Sequence, residues 1–303
     1  MANLKSIKSK IISSKKMGTV TRAMEAVSAV KMRKSQERAL SGRAYAAAAL
    51  SVLERLSGSS DLSRHPLMQE RAGKTAIVVI TSDKGLAGSL NSGVIRKADA
   101  EISRLNLDKK DIVIYAFGRR GGDFFATRGY TMGLNKTNVS DDVSEAELRE
   151  ITSGIISRPD VTSVTVVYQN FVSSFEQVPT AHKIVPIKAH MMHEIVAGIR
   201  PARGKYAPSS AKASEGKPLA YTIEPDADEV LGVLLPKLLS IALFHALLEN
   251  KASEHSARMV AMKSATDKAK EMAQAFTRKF NKVRQAAITR EVSEITSGIE
   301  SMK

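Results

Sequence analysis

A glycine-bearing turn follows an apolar, β-branched run of the chain, and its residue types could bind a nucleotide phosphate. The run is IVVI at 77–80, and the turn after it, SDKGLAGSLN, carries Gly85 and Gly88. A phosphate-binding loop needs the pattern G-x-x-x-x-G-K-[ST], and a dinucleotide fingerprint needs three glycines spaced G-x-G-x-x-G. Here the glycines are three residues apart, and Ser89 follows the second where a lysine is needed. We interpret the turn as a strand-to-helix connection in which glycine supplies a positive φ or a close backbone approach.

Two further clusters could bind an anion or a metal ion. The segment FGRRGGDFF carries Arg119 and Arg120 directly after a predicted strand, and we interpret it as a solvated turn. His182, His190 and His193 lie close in sequence, and the last two form an HxxH pair. Metal-binding pairs on a helix usually lie four residues apart and need further ligands. We interpret these histidines as surface or interface residues and expect no metal site.

Carboxylate clusters could perform acid–base chemistry, but their positions are typical of helix starts. This applies to Asp141 and Asp142, and equally to Asp226, Asp228 and Glu229. Acidic residues in a first turn are stabilised by the helix dipole. The chain has no cysteine, which excludes thiolate catalysis, disulfides and Cys-based metal sites. We expect no catalytic residue and no cofactor.

The elements that position these residues alternate between strands and helices in the middle of the chain. The predicted strands are Ala76–Thr81, Asp111–Phe117 and Val161–Gln169. The predicted helices span about 89–105, 120–128 and 143–157, the last opened by Ser140, Asp141 and Asp142 as its cap and first turn. This alternation predicts βαβ units and a mainly parallel sheet. Residues 197–220, rich in Pro, Gly, Ser and Lys, read as an exposed loop or insertion.

Both ends of the chain carry the spacing of long helices. Over residues 3–56, which contain no proline, apolar residues recur three and four apart, at Leu4, Ile7, Ile11, Val20, Met24, Val27 and Val30. From about Pro236 to Gly298 the series is Met272, Phe276, Phe280, Val283, Ala287, Ile288, Val292, Ile295 and Ile299. Two long helices at opposite ends of one chain pair most simply as an antiparallel coiled coil. Thr, Ser and Ala occupy many seam positions, and such small residues permit a thin, closely approached pair.

The charge of the chain lies on these ends. The formal net charge is +15, of which residues 1–56, with twelve Lys or Arg against three acids, contribute +9, and residues 237–303, with twelve against seven, contribute +5. A basic helix pair would suit nucleic acid, an acidic protein cavity or acidic lipid headgroups. The apolar run from Leu231 is interrupted by Pro236 and Lys237, so we expect a soluble protein. No signal peptide is recognisable, although the basic, Ser-containing N-terminus also allows a mitochondrial presequence.

Specific motifs at both ends and in the centre resemble the gamma subunits of the rotary F-type ATP synthase. At the N-terminus the resemblance is carried by LKSIKSKIISSKKMGTVTRAMEAVSAVKMRKSQERA, and in the centre by ITSDKGLAGSLN and YTIEPDADEVLGVLLPKLL. At the C-terminus it is carried by ENKASEHSARMVAMKSATDKAKEM and FNKVRQAAITREVSEITSGIESM. The motifs occur in the family's order, so the resemblance spans essentially the whole chain.

The resemblance implies an α/β fold in which a long antiparallel coiled coil of both terminal helices carries a central Rossmann-like domain with a mainly parallel sheet. It implies a first coiled-coil helix over 1–58, the α/β domain over 74–196, the loop over 197–220 and the second coiled-coil helix over 221–303. The implied function is that of the central rotor shaft, which is not an enzyme on its own, holds no cofactor and binds no nucleic acid.

The implied partners are one ring of alternating alpha and beta subunits, an epsilon subunit and the membrane ring of c subunits, with one copy of the chain per complex. The implied location is the cytoplasmic face of the bacterial inner membrane, and the mitochondrial matrix side is the alternative. The motif match assigns contacts with the beta subunit to Met24, Lys31, Arg33, Arg284, Gln285, Thr289 and Glu294. It assigns contacts between the foot and the c-ring to Tyr221 and Glu224.

Two rival readings give different predictions. A basic coiled-coil adaptor that binds nucleic acid or an acidic protein partner would bind DNA with an affinity that falls steeply with salt. A nucleotide-binding enzyme that uses residues 83–91 would give the isolated chain a measurable affinity for ATP.

Overall fold

Two long helices come from opposite ends of the chain in the computed structural model, which describes residues 4–56, 65–188 and 227–302. Helix α1 covers Leu4–Leu56 and helix α5 covers Ala227–Glu300. The chain divides into two units: residues 1–28 with 259–303, and residues 29–258. The predicted terminal helices are therefore present, and α5 begins before Pro236, which lies inside the helix. The carbonyl of Pro236 accepts a hydrogen bond from Ser240 Oγ at 3.1 Å.

The second unit, residues 29–258, is built on a five-stranded sheet. Its strands are β1 Lys74–Ile80, β2 Ile112–Phe117, β3 Thr131–Lys136, β4 Val161–Phe171 and β5 Gln177–Val185. Their order is β3-β2-β1-β4-β5, and only the β4–β5 pair is antiparallel. The helices between the strands are α2 Leu90–Leu105, α3 Arg119–Thr127 and α4 Glu145–Ile156, with a short 3₁₀ turn at Lys109–Asp111. The predicted α/β fold class with a mainly parallel sheet is confirmed.

The two strands that the sequence analysis missed both lie at edges of the sheet. Strand β3 alternates between half-buried and exposed residues and contains only two large apolar side chains, Met132 and Leu134. Strand β5 contains Pro179, which cannot donate to a neighbouring strand and is therefore confined to edges. Neither strand has the continuous apolar run that made the central strands recognisable.

The sheet separates two apolar layers, and the central strand β1 supplies both. Ala76, Val78 and Ile80 face a large core that includes residues of α1, α4 and α5. Ile77 and Val79 face a smaller core formed with α2 and α3. Successive side chains of a strand point to opposite faces, so one unbroken apolar run fills both cores.

One helix in the described part of the chain, over Glu229–Ile299, is long and apolar enough to cross a membrane by length and composition. Just over half of its apolar window, 56%, is buried inside the structure. Leu231, Leu235 and Leu239 pack in the large core with less than 1% of their surface exposed. This burial is typical of a core helix, which satisfies the same test.

In the first unit, α1 and α5 pair in antiparallel orientation, with contacts that run from Thr21 and Thr266 to Lys10 and Phe276. Thr21 Oγ1 lies 2.7 Å from Thr266 Oγ1, and a Cβ placed on Gly18 would lie 3.6 Å from the Cβ of Ala269. The ammonium of Lys10 lies 5.8 Å from the centroid of the Phe276 ring. Small residues in the seam let the two backbones approach closely, as expected.

The seam follows only part of the apolar face that the sequence predicts: Ile7 is buried and Leu4, Ile11 and Met24 are half-buried. Thr21 and Ser28 are buried in it, whereas Val20 and Val27 are more than half exposed. The buried hydroxyls are satisfied inside their own helix, because Ser28 Oγ donates to the carbonyl of Met24 at 2.7 Å. Small polar residues can therefore form the seam at little cost, and the valines face outward.

Candidate functional site

The glycine-bearing turn after β1 is held by hydrogen bonds within the chain. Ser82 N donates to Asn91 Oδ1 at 2.9 Å, and Asn91 Nδ2 donates to Ser82 Oγ at 2.8 Å, which ties the turn to the first turn of α2. Gly88 has φ +58°, so the predicted positive φ is confirmed there. At Gly85 the backbone is ordinary, and an added Cβ would lie 3.4 Å from the guanidinium of Arg120.

The anion position at the carboxyl ends of the parallel strands is filled by Asp83. One carboxylate oxygen accepts from the backbone N–H groups of Arg119 and Asn138, at 3.0 and 2.9 Å. The other accepts from the N–H of Val139 at 3.1 Å. In nucleotide-binding sheets, such backbone donors at a helix N-terminus bind phosphate. Here they are used by a side chain of the same molecule, which supports the interpretation of the turn as a connection.

The second glycine turn is a close contact between backbones, and not only the solvated turn that we expected. Gly118, the residue before α3, has φ +92°. Gly121, in the first turn of α3, donates its N–H to Thr81 Oγ1 at 2.9 Å. Arg119 and Arg120 are exposed, in keeping with a solvated turn, but the glycines between which they lie are not. The turn therefore fixes α3 against the end of β1.

The histidine cluster of the sequence analysis is only partly described. His182 lies half-buried on β5, with its ring 5.9 Å from the ring of Tyr168. His190 and His193 lie outside the described residues. Within residues 4–56, 65–188 and 227–302, no group of three or more His, Asp or Glu side chains is placed to hold a metal ion.

Asp141 and Asp142 are not the start of a helix, and this prediction was wrong. Helix α4 begins at Glu145, and the two carboxylates lie in the turn before it, where they form ion pairs with helix α1. Lys31 Nζ lies 2.7 Å from Asp141, and Lys34 Nζ lies 3.0 Å from Asp142. Arg38 donates to the carboxylate of Asp142 at 2.8 Å and to the carbonyl of Asp141 at 2.7 Å.

Helix α5 also binds the turn that carries Asp141 and Asp142. Lys251 Nζ donates to the carbonyl of Val139 at 2.8 Å and lies 3.6 Å from Asp141 Oδ1. His255 Nε2 lies 3.1 Å from the same oxygen. Sequence position gave no hint of this, because the partners are separated by 103 to 114 residues. We call this set the acidic clamp, formed by Asp141, Asp142, Lys31, Lys34, Arg38, Lys251 and His255.

The acidic clamp sets the charge of Asp141. The hydrogen bond from His255, followed by those of Lys31 and the charge of Lys251, holds the pKa of Asp141 well below its usual value of 3.8. A carboxyl group with a lowered pKa in the folded state stabilises the fold above its unfolded pKa. That stabilisation is lost as the pH falls below 3.8 toward the folded pKa.

We therefore expect the variant Asp141→Asn to be less stable than the parent chain at neutral pH, and the difference to shrink in acid. Urea unfolding at about pH 7 and about pH 3 measures the two differences. A difference of the same size at both pH values would contradict the ion-pair account and would indicate that the substitution acts through packing.

A buried polar run in the middle of α5 was missed by the sequence analysis. Asn250 and Ser253 are fully buried, and they bind the backbone of Gln169 on β4. Asn250 Oδ1 accepts a hydrogen bond from the N–H of Gln169 at 3.1 Å, and Ser253 Oγ donates to the carbonyl of Gln169 at 3.0 Å. The available signal was the run ENKASEHSAR, which interrupts the apolar pattern of the helix. This run attaches α5 to the end of β4.

The structure places four of the predicted contact residues on one stretch of α5 in the first unit. Arg284, Gln285, Thr289 and Glu294 are all exposed. Thr289 Oγ1 donates to the carbonyl of Gln285 at 3.0 Å, so these two residues occupy one helix face.

The remaining predicted contact residues have different surroundings. Met24 is half-buried beside the seam of the first unit. In the second unit, Lys31 is bound by Asp141 within the chain, while Arg33 is 81% exposed and lies 3.2 Å from Glu37. Tyr221 and Glu224 lie outside the described residues. The contact roles of all these residues stay predictions.

The last turns of α5 expose a regular apolar face. Every described side chain from Ile288 to Met302 is exposed. Four apolar residues of this segment are spaced four, three and four apart: Ile288, Val292, Ile295 and Ile299. Their exposed fractions lie between 52% and 63%. An amphipathic helix of this kind buries its apolar face against another element. We call these four residues the apolar ladder.

Comparison with known proteins gives one answer over the whole chain. The family model described as ATP synthase matches residues 3–302. The chain is 37% identical over 306 residues to the ATP synthase gamma chain of Heliobacterium modesticaldum, with full coverage of both chains. It is 36% identical over 307 residues to that of Geotalea daltonii, again with full coverage of both. The chain belongs to the ATP synthase gamma chain family. The family and the function predicted from the sequence are confirmed.

A gamma chain is a non-catalytic subunit of F-type ATP synthase. It is part of the central rotor stalk and a peripheral part of the membrane-bound complex. Solved structures share the fold. The central stalk and c-ring of the Tetrahymena thermophila mitochondrial enzyme matches with a TM-score of 0.58 and 23% identity, over 81% of this chain and 99% of the other. The rotor of the Euglena gracilis mitochondrial enzyme matches with a TM-score of 0.60 and 15% identity, over 94% and 98%.

Proposed function

We propose that this gamma-family chain is the shaft that couples proton-driven rotation to conformational change in a surrounding ring of alpha and beta subunits. ATP is made or hydrolysed in that ring, and the shaft itself performs no chemistry. The observation that carries the proposal is the apolar ladder on the exposed last turns of α5. The ring is the partner that would cover it.

The apolar ladder needs a partner on energetic grounds. Burying an Ile or Val side chain completely contributes about 1.5–3 kcal/mol, so four half-exposed side chains represent several kcal/mol of unrealised stabilisation. A second copy of the chain could supply such a surface, but a rotor requires one copy per complex. A ring with an apolar inner collar would cover the ladder on all sides while allowing the helix to turn.

The mechanism follows from the asymmetry of a two-helix rod. A ring with three beta subunits has near three-fold symmetry, but a pair of helices has none, so each beta subunit meets a different face. Each face favours a different conformation, and rotation passes these preferences from one beta subunit to the next. This is a population shift driven mechanically. The basic terminal segments suit acidic surfaces on beta.

Family membership supports the partners and the location that we propose. The solved relatives include a central stalk with its c-ring and a complex of F1 with a c-ring. We assign the same neighbours to this chain, with the predicted residues Tyr221 and Glu224 at the c-ring, and we add an epsilon subunit. The gamma chains that it matches at 33–37% identity come from bacteria, which favours the cytoplasmic face of the inner membrane.

The double substitution Arg284→Ala with Gln285→Ala tests the contact with beta. Both side chains are exposed, so we expect the chain to fold and assemble normally. Charged hydrogen bonds contribute about 1.5–3 kcal/mol, so we expect roughly a tenfold loss of ATP-driven proton pumping. ATPase activity and pumping are measured together in membrane vesicles that carry the variant.

The matched control is Lys268→Ala with Glu271→Ala, an exposed ion pair on the same helix. We expect this control to pump normally, because its two residues satisfy each other. Normal ATPase activity and pumping in the Arg284/Gln285 variant would show that these residues do not contribute to the contact with beta.

The function as a whole is tested by recovery of the assembled complex through a tag inserted within residues 205–215. We expect alpha and beta chains to be recovered with ATPase activity that the purified chain lacks. Recovery of nucleic acid, with binding that falls steeply as salt rises, would instead support the basic adaptor.

A further inference from the structure

We propose that the acidic clamp fixes α1 and α5 to the sheet of the second unit and transmits torque between the two helices and the sheet. This inference rests on the proposed function of the chain as a shaft. It assigns a mechanical task to Asp141 and Asp142, which touch no substrate and act by positioning the two helices.

The turn that carries the two carboxylates is anchored to the sheet on one side. Asp83, which follows β1, accepts hydrogen bonds from the N–H groups of Asn138 and Val139 at 2.9 and 3.1 Å. The turn also follows directly on β3, whose last residue is Lys136. The carboxylates are therefore presented by a segment that moves with the sheet.

On its other side, the same turn binds both helices at once. Helix α1 contributes three cations and helix α5 contributes Lys251 and His255, against two carboxylates and three backbone carbonyls of the turn. Arg38 alone binds the carbonyls of Asp141 and Val143 and the carboxylate of Asp142. No single helix could rotate about its axis without breaking several of these bonds.

These bonds resist motion in a way that the apolar core does not. Apolar contacts are non-directional, so burial by itself does not fix the distance and angle between particular atoms. Charge-assisted hydrogen bonds fix distance and angle. Lys251 is only 8% exposed at its side chain and Asp141 only 27%, so water screens this part of the clamp weakly.

The clamp also ties the two helices to each other. Lys31 of α1 and His255 of α5 both reach Asp141, at 2.7 and 3.1 Å, so a single turn holds both helices as well as the sheet.

The test is the double substitution Asp141→Asn with Asp142→Asn in the assembled complex. We expect the complex to assemble and to hydrolyse ATP, and we expect proton pumping per ATP hydrolysed to fall roughly fivefold, because apolar contacts and the hydrogen bonds to Gln169 then hold the helices to the sheet without the clamp. The matched control is Asp108→Asn, which removes an exposed pair with Lys110 elsewhere on the unit. An unchanged ratio of pumping to hydrolysis in the clamp variant would overturn the proposal.

A single substitution keeps the proposal testable if the double variant does not assemble. Asp142 is 59% exposed at its side chain and pairs with Lys34 at 3.0 Å and with Arg38 at 2.8 Å, so Asp142→Asn leaves Asp141 and its partners in place. We expect Asp142→Asn to lower the pumping ratio, by less than the double variant does. An unchanged ratio in Asp142→Asn would overturn the proposal.

These results are distinguishable from failure of the proposed function. If the parent chain did not recover alpha and beta subunits, or if parent vesicles did not pump, the shaft itself would be wrong. The clamp itself is tested by proton pumping per ATP hydrolysed, compared between the variant and the parent chain.

Discussion

Gly118→Ala is expected to destabilise the chain by about 3 kcal/mol or more. Gly118 has φ +92° and ψ 139°, a sparsely populated conformation that costs a residue with a Cβ roughly 1–3 kcal/mol. An added Cβ would lie 2.2 Å from the carbonyl oxygen of Thr81 and 2.6 Å from its carbonyl carbon. Both atoms are backbone at the end of the central strand, so relief requires the strand or α3 to move. Urea unfolding of the full chain measures the loss.

Two glycines with free surroundings separate the causes. Gly129 has φ +76° and nothing within 4 Å of an added Cβ, so Gly129→Ala should show the conformational cost alone, about 1–2 kcal/mol. Gly154 lies inside α4 with equally open surroundings, so Gly154→Ala should stabilise the chain by about 0.5–1 kcal/mol. If Gly118→Ala were no worse than Gly129→Ala, the close contact with Thr81 would have no energetic consequence.

The Gly118 contact marks the limit of what the glycine turns reveal in sequence. A glycine after a strand indicates a turn, and both turns were located correctly. Which backbone the glycine approaches depends on the neighbouring strand, and Thr81 is 37 residues away along the chain. The central strands were predictable because a doubly buried strand must be apolar throughout. The edge strands β3 and β5 carry no such constraint.

The helix pair shows how a correct prediction of structure can carry a wrong prediction of face. Three- and four-residue spacing identified α1, but the valines that supplied the spacing are outside the seam, and Thr21 and Ser28 are inside it. Hydrophobic periodicity assumes that apolar residues are buried within the chain. In α1 that assumption fails, because Val20 and Val27 are more than half exposed.

The candidate sites divide in the same way. The contact residues on α5 came only from the resemblance to the family, because Arg284 and Thr289 are exposed helix residues without local distinction. The acidic clamp could not be found at all, since its charges come from three segments, each more than 100 residues along the chain from the next. A pair of aspartates before a predicted helix has a local explanation, and the local explanation was wrong.

Arg258→Met is the second large effect that we expect, at about 3 kcal/mol of lost stability. Arg258 Nη2 donates to Glu254 Oε1 at 2.7 Å, and both side chains are at most 10% exposed. Removal of the arginine leaves a buried carboxylate whose nearest remaining cation, Lys251, lies 3.9 Å away. Breaking a buried ion pair from one side costs about 3–5 kcal/mol, and the lysine offsets a part of that.

The double variant Glu254→Met with Arg258→Met gives the opposite expectation and so decides the cause. With both charges removed, no uncompensated carboxylate remains, and buried pairs replaced by apolar residues of similar size are often neutral or more stable. Lys251 keeps the carbonyl of Val139 at 2.8 Å and the carboxylate of Asp141 at 3.6 Å. We therefore expect the double variant to recover most of the loss in urea unfolding. A double variant less stable than Arg258→Met alone would show that the pair stabilises the fold directly, in addition to neutralising two buried charges.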